Sequence, residues 1–325
     1  MVDLFKKYLK LKEKGTTKDG FILVDTIPEI NCHKMGVSNA GLPIFFIATR
    51  DRDESALDIK LKLIQVEFQK NCELISEQGE KKNGVYSIVS LKSDSEELVK
   101  YFINTVFYLI RQLEEDPSFS QIKSELNNLV NLFQSLTKPP KKTIQGLWSE
   151  LLFIEQSVDP YYLIGCWHQN KSDRYDFNDG YEKLEVKSTS KPNRVHRFSL
   201  SQLQVISNTL VLIGSTFTIE IAKGVSANDL IQEISRKVTD SSLMFKINKV
   251  VAETMGNEIE RIYDTYFDYK LAINSIKYYD IQDVPTIVNA LIPLEITNVK
   301  FDCDLTGVSE IHEQSTNSKL SNALF

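Results

Sequence analysis

Within the stretch DFNDGYEKLEVKSTS, residues 176–190, two runs of strand character flank an Asp179-Gly180 pair. Asp-Gly between such runs is a strong hairpin signal. With a two-residue loop, Asn178 faces Tyr181 and Asp176 faces Lys183. Side chains alternate along a strand, so Asp176, Lys183, Glu185 and Lys187 share one face and Phe177, Leu184 and Val186 share the other. A three-residue loop would break this arrangement. Two carboxylates and a lysine on one face have a chemical use. Carboxylate oxygens hold a hard divalent cation such as Mg2+ or Mn2+. The cation polarises a phosphate and lowers the pKa of a bound water. The lysine positions that water or neutralises charge that develops in the transition state. The same residues also suit a surface hairpin with cross-strand ion pairs, each contributing ~0.2–1 kcal/mol.

The element before this stretch bears on the choice. A helix is expected over about 144–157. At about 100° per residue, Leu147, Leu151, Ile154 and Val158 form one stripe, and Trp148, Leu152 and Phe153 widen it almost all round. Glu150 and Glu155 fall on its shoulders, where an unpaired charge is costly. A nearby metal or lysine would compensate Glu150, and reaching solvent at the helix edge would serve as well. For Glu155 the solvent is the expectation.

Earlier in the chain, FILVD, LPIFFIAT, LIQVEF and GVYSIVSL read as strands over 21–92. Leu98, Phe102, Val106 and Ile110 then mark a helix near 95–115, with Ser95 and Glu97 at its start. A second helix follows over 118–136. Lys138-Pro139-Pro140-Lys141-Lys142 breaks the pattern, which places a domain boundary there, with domains at 1–137 and 141–325. YYLIGCWHQ reads as a strand and 199–207 as a short helix. A helix starts at Ser226 or Asn228, and KLAINSIKYYDI reads as a strand.

The net charge of −6 is uneven. Residues 141–200 hold nine Lys and Arg against eight Asp and Glu, whereas 201–325 hold ten against sixteen. The chain lacks the overall basic footprint of a nucleic-acid binder, so any phosphate-binding surface is local. No apolar run reaches the ~18 residues of a membrane span, and the N-terminus lacks a secretory signal. Four scattered cysteines exclude a CxxC zinc site and fit a cytoplasmic setting. P-loop and GxSxG motifs are absent. His33, His168 and His312 are isolated and read as structural.

GLWSELLFIE (146–155), CWHQ (166–169), DRYDF (173–177), LEVKSTS (184–190) and HRFSLSQL (196–203) follow in order. Together they resemble the PD-(D/E)XK nuclease superfamily, and more closely a family of uncharacterised bacterial proteins assigned to it. The match is detailed over 146–203 and general elsewhere. Tyr175, not proline, precedes Asp176, and that proline is often absent in the superfamily. The resemblance implies an α/β restriction-endonuclease-like domain, a mixed central sheet flanked by helices, after a strand-rich α+β N-terminal domain for recognition or partner binding. It implies Asp176, Glu185 and Glu150 as metal ligands for Mg2+ or Mn2+, Lys187 as catalytic lysine, and Gln202 near the site. Ser199-x-x-Gln202 is also a capping box, which explains Gln202 without a site. Ser188, Thr189, Lys191, Arg194 and Arg197 are the candidate contacts to nucleic acid. The implied function is DNA endonuclease in restriction or phage defence, as a homodimer or beside a separately encoded methyltransferase or ATP-driven translocase. The alternative is a non-catalytic subunit on the same fold, and RNA as substrate stays open.

Overall fold

The computed structural model describes residues 4–14, 22–27, 30–53, 56–76, 79–169, 173–204, 209–288, 292–293, 295–312 and 318–325. The chain divides into two compact units, Met1–Pro140 with Asp240–Glu260, and Lys141–Thr239 with Arg261–Phe325. The expectation of two consecutive blocks therefore differs at one segment: Asp240–Glu260 goes with the N-terminal unit.

That unit opens with helix α1 (Leu4–Lys14) and strands β1 (Ile22–Ile27), β2 (Ile30–Val37), β3 (Pro43–Ala48), β4 (Ile59–Lys60), β5 (Ile64–Ser76) and β6 (Lys81–Leu91). The sheet order is β1-β2-β3-β6-β5-β4, and β1 also pairs in parallel with β5, so the sheet closes on itself. Ile44 and Phe46 pack with Val24, Leu74 and Tyr86 on one face of β3 and Phe45 meets Phe102 on the other, which is why PIFFIA is apolar without alternation. Helices α2 (Glu96–Ile110) and α3 (Phe119–Ser135) follow, started by Ser95 and by a Ser118–Gln121 capping box.

The second unit holds the candidate residues. Helix α4 (Ile144–Gln156) is capped by the Thr143 hydroxyl. YYLIGCWHQ is not a strand: Asp159 caps helix α5 (Pro160–Cys166), with Pro160 at its first position. Only Trp167 adds to the sheet, through a bridge to Phe177. Next come β7 (Phe177–Asn178), β8 (Glu182–Thr189), β9 (Val195–Ser199), a 3-10 turn at Leu200–Leu203, β10 (Leu210–Phe217) and β11 (Glu220–Ser226). The helix expected to 207 is only that turn, and 205–208 lie outside the described residues. Ser226 caps α6 (Ala227–Lys237). Helix α7 (Ser241–Met255) belongs to the first unit, and α8 (Arg261–Asp264) and β12 (Tyr266–Phe267) resume the second. KLAINSIKYYDI divides into α9 (Tyr269–Asn274) and β13 (Lys277–Asp280), because Asp268 caps a helix there. β14 (Lys300–Asp304) and α10 (Lys319–Leu324) complete the unit.

Its central sheet is mixed, in the order β13-β10-β8-β7, with β10 and β8 parallel and the outer pairs antiparallel. The two faces are covered differently. Gly214 of β10 lies under Phe153 of α4. On the other face Val211 and Ile213 share a core with Tyr175, Phe198, Leu203, Cys303 and Leu305. The antiparallel pair β9–β14 thus covers the face where a helix was expected.

Gly214 sets how closely α4 approaches. A Cβ there would stand 2.3 Å from Phe153 Cε1. Gly214→Ala is expected to destabilise the protein by about 1–3 kcal/mol through overpacking, read as a lower midpoint in denaturant unfolding.

Candidate metal and catalytic centre

The hairpin carries a longer loop than two residues. Phe177 pairs with Leu184 and Asn178 with Lys183, which leaves Asp179-Gly180-Tyr181-Glu182 as the turn. Asp179 Oδ1 accepts from the Tyr181 and Glu182 amides, and Gly180 takes φ +98°. Two added residues shift the partners but preserve the parity. Asp176 therefore stands across from Glu185 rather than Lys183, and the grouping by face survives. Leu184 and Val186 join the face of Gly214 and Leu212, while Glu185 and Lys187 join that of Ile213 and Ser215. Both faces are covered, so this is an internal strand and not a surface hairpin.

Each carboxylate has a defined set of partners. Asp176 is 5% exposed; its Oδ2 accepts from the Val186 amide at 2.8 Å and its Oδ1 from Lys142 Nζ at 2.5 Å. Glu150, on α4, accepts from Lys142 Nζ on Oε1 at 2.6 Å. Its Oε2 accepts from Trp167 Nε1 and His168 Nε2, each at 2.8 Å. Glu185 Oε1 accepts from Lys187 Nζ and Gln202 Nε2, each at 2.6 Å. Glu185 Oε2 is buried and has no hydrogen-bond partner among the described residues. Lys187 Nζ also lies 5.1 Å over the Phe198 ring, a cation–π contact that fixes its direction.

A profile of the family described as "Putative PD-(D/E)XK family member, (DUF4420)" matches residues 16–306. The chain belongs to that family. Nothing matches it significantly among curated proteins or among solved structures. Membership of a PD-(D/E)XK family points to nuclease-type chemistry, and the match runs through both compact units.

In this PD-(D/E)XK chain the charges are strongly coupled. Burial alone would raise Glu150, but Lys142 and His168 overcome it and hold the carboxyl down at about 2. Burial and the neighbouring Glu150 charge raise Asp176 against the pull of Lys142. Burial and Asp176 raise Glu185 to about 7, against Lys187. Burial opposes the charge on Lys142, yet Glu150 and Asp176 raise its pKa and keep it an ammonium. A carboxylate with a buried, unpartnered oxygen beside a second carboxylate fits a hard divalent cation. Asp176 and Glu185 are the residues that would hold it. Glu150, His168 and Asp176 form a second group, with ligand atoms within 4.8 Å of one another.

The remaining expectations fare unevenly. The Gln202 amide makes two contacts: its oxygen accepts from the Ser199 amide at 3.0 Å, as in a capping box, and its nitrogen donates to Glu185. Glu155 does not reach solvent. It is 5% exposed and accepts from Lys237 at 2.6 Å, Tyr269 at 2.9 Å and Gln156 at 2.5 Å. Arg194 is buried as well: its guanidinium donates to Ser215 and Ser275 and covers the Phe217 ring at 4.6 Å. Its guanidinium is turned into the core, where it braces β10 rather than facing a phosphate at the surface. Thr189 is buried and accepts from the Lys191 amide, and Ser188 accepts from Gln145. Lys191 and Arg197 are exposed, and Arg197 pairs with Asp302 at 2.8 Å.

Two residues of the centre were not foreseen. Lys142 reads in sequence as a charge that solvates Pro139-Pro140, and His168 as structural. CWHQ contained the one signal for His168. It sits at φ +41°, a left-handed conformation rare for a non-glycine residue, where its amide donates to the Asp176 carbonyl at 2.9 Å.

The raised Glu185 has a consequence for stability. Without a cation the folded chain keeps this proton up to about 7, above the 4.5 of an ordinary glutamate. The folded state then binds more protons than the unfolded one, so stability falls as pH rises through that window. Buried His33 and His196, both held down at about 4, act with the opposite sign below 6.5. The difference between two proteins isolates the carboxyl. In chelator, Glu185→Gln should melt above the wild type beyond about pH 7, with the gap closing toward pH 4.5. A gap independent of pH would contradict this charge state.

Proposed function

We propose that the chain is a divalent-metal-dependent nuclease that cleaves phosphodiester bonds in DNA. The observation that carries the reading is the buried, unpartnered Oε2 of Glu185 across from Asp176, with Lys187 on the same strand. A bound Mg2+ or Mn2+ would supply Lewis-acid polarisation of the phosphate and a water of lowered pKa. The chain's own groups do the positioning. Gln202 and Lys187 hold one oxygen of Glu185 and leave the other available. The Val186 amide orients Asp176. The Lys187 ammonium stands beside the carboxylates, where it can stabilise negative charge that develops on the phosphate.

A route for the nucleic-acid backbone adjoins Gln202. Arg174, Arg197, Ser199, Gln202 and Lys300 line an open cavity of about 370 Å³. Three cations around one cavity, against Asp302 on Arg197, suit phosphate contacts. The acidic remainder of the chain leaves further affinity to a homodimer or to a separately encoded methyltransferase or translocase, within restriction or phage defence. The N-terminal unit is the candidate for recognition or partner binding. The alternative, a non-catalytic subunit, draws on Lys142, whose ammonium already neutralises Glu150 and Asp176.

Cleavage of plasmid DNA, with an RNA oligonucleotide in parallel, separates these readings. The wild type should cut DNA with Mn2+ and not in chelator, and Asp176→Asn should lower the rate by at least about 10²-fold. Metal-independent behaviour with no cleavage would favour the non-catalytic subunit. In the Asp176→Asn background, Arg174→Ala and Lys300→Ala should each flatten the salt dependence of duplex binding by about 0.9 in log–log slope, one phosphate contact apiece.

A further inference from the structure

Lys142 reaches the centre from the segment just before α4. It lies two residues past Pro140 and one before the Thr143 cap, so its backbone is held at the start of that helix. Its ammonium stands 2.6 Å from Glu150 Oε1, 2.5 Å from Asp176 Oδ1 and 3.3 Å from His168 Nε2. These residues are the three whose ligand atoms cluster within 4.8 Å. The cation thus sits where a metal ion bound by that group would sit.

The third ligand is also committed elsewhere. His168 Nε2 lies 2.8 Å from Glu150 Oε2, and a carboxylate can only accept, so the imidazole proton is on Nε2. The same Glu150 oxygen is further engaged by the Trp167 indole at 2.8 Å. The pair Glu150 and Asp176 is therefore closed around an ammonium, while Glu185 is the one of the three carboxylates whose buried oxygen has no partner among the described residues.

We infer that Lys142 is a chain-borne substitute for a second metal ion, so that the centre binds one divalent cation, at Asp176 and Glu185. The inference rests on the proposed metal site there. In two-metal centres a second ion neutralises the shared carboxylate and stands near the phosphate oxygens. A tethered ammonium does the same and cannot dissociate. The Lys142 side chain is 36% exposed, so it is not sealed inside the core.

Calorimetric titration of the full chain with Mn2+ tests this by counting ions. The wild type should bind one ion per chain. Lys142→Met should bind two, and Lys142→Arg, which restores a cation, should return to one. Two ions in the wild type, or one in a folded Lys142→Met, would overturn the inference. Should Lys142→Met not fold, amine acylation of the wild type followed by mass spectrometry decides. Lys142 labelling should stay unchanged on saturation with Mn2+, and a several-fold rise would show the ion displacing it. If the wild type binds no divalent ion, the metal site at Asp176 and Glu185 fails first, and the inference falls with it.

Discussion

Buried negative charge is the constraint around which the second unit is organised. Glu150, Asp176 and Glu185 are 3%, 5% and 4% exposed. A lone ionised carboxylate in such surroundings would shift its pKa or unfold its site. The fold answers with Lys142 from before α4, the His168 imidazole from after α5 and Lys187 on β8 itself. Glu155 serves as an internal comparison. It lies on the same helix and is equally buried, yet Lys237, Tyr269 and Gln156 partner it in an ordinary polar cluster. Glu185 differs because one oxygen is left over. Burial of acid is thus common to both places, and incomplete compensation is what sets the proposed metal site apart from the Glu155 cluster.

What could be read in the sequence was what depends on local periodicity. Phe177, Leu184 and Val186 were assignable to one face and Asp176, Glu185 and Lys187 to the other because alternation along a strand needs no knowledge of tertiary structure. That inference assumed a two-residue loop, and the turn at 179–182 has four. It survived because parity is blind to an even change in loop length. The partner of Asp176 did change, from Lys183 to Glu185, which turns an expected ion pair into opposed acids.

Long-range contacts were not readable. Nothing near Lys142 in sequence says that it meets Asp176, 34 residues away. Arg194 stood in a basic run and looked like a phosphate contact, yet Ser215 and Ser275 draw its guanidinium inward. YYLIGCWHQ combined aromatic and branched residues in a strand-like run, but Asp159 and Pro160 before it were helix-start signals of greater weight. Where local composition and capping disagreed, capping was the better guide.

The interleaving of the two units carries a different implication, for how the protein is made. The first unit is completed only by Asp240–Glu260, and that segment interrupts the second unit in sequence. A ribosome delivers residues in order, so the N-terminal unit waits for α7 until the chain past Thr239 has emerged. By then β8 and β10, which carry or brace the acidic centre, are already outside. The two units must mature in overlapping intervals, and neither can be excised as one uninterrupted piece of gene.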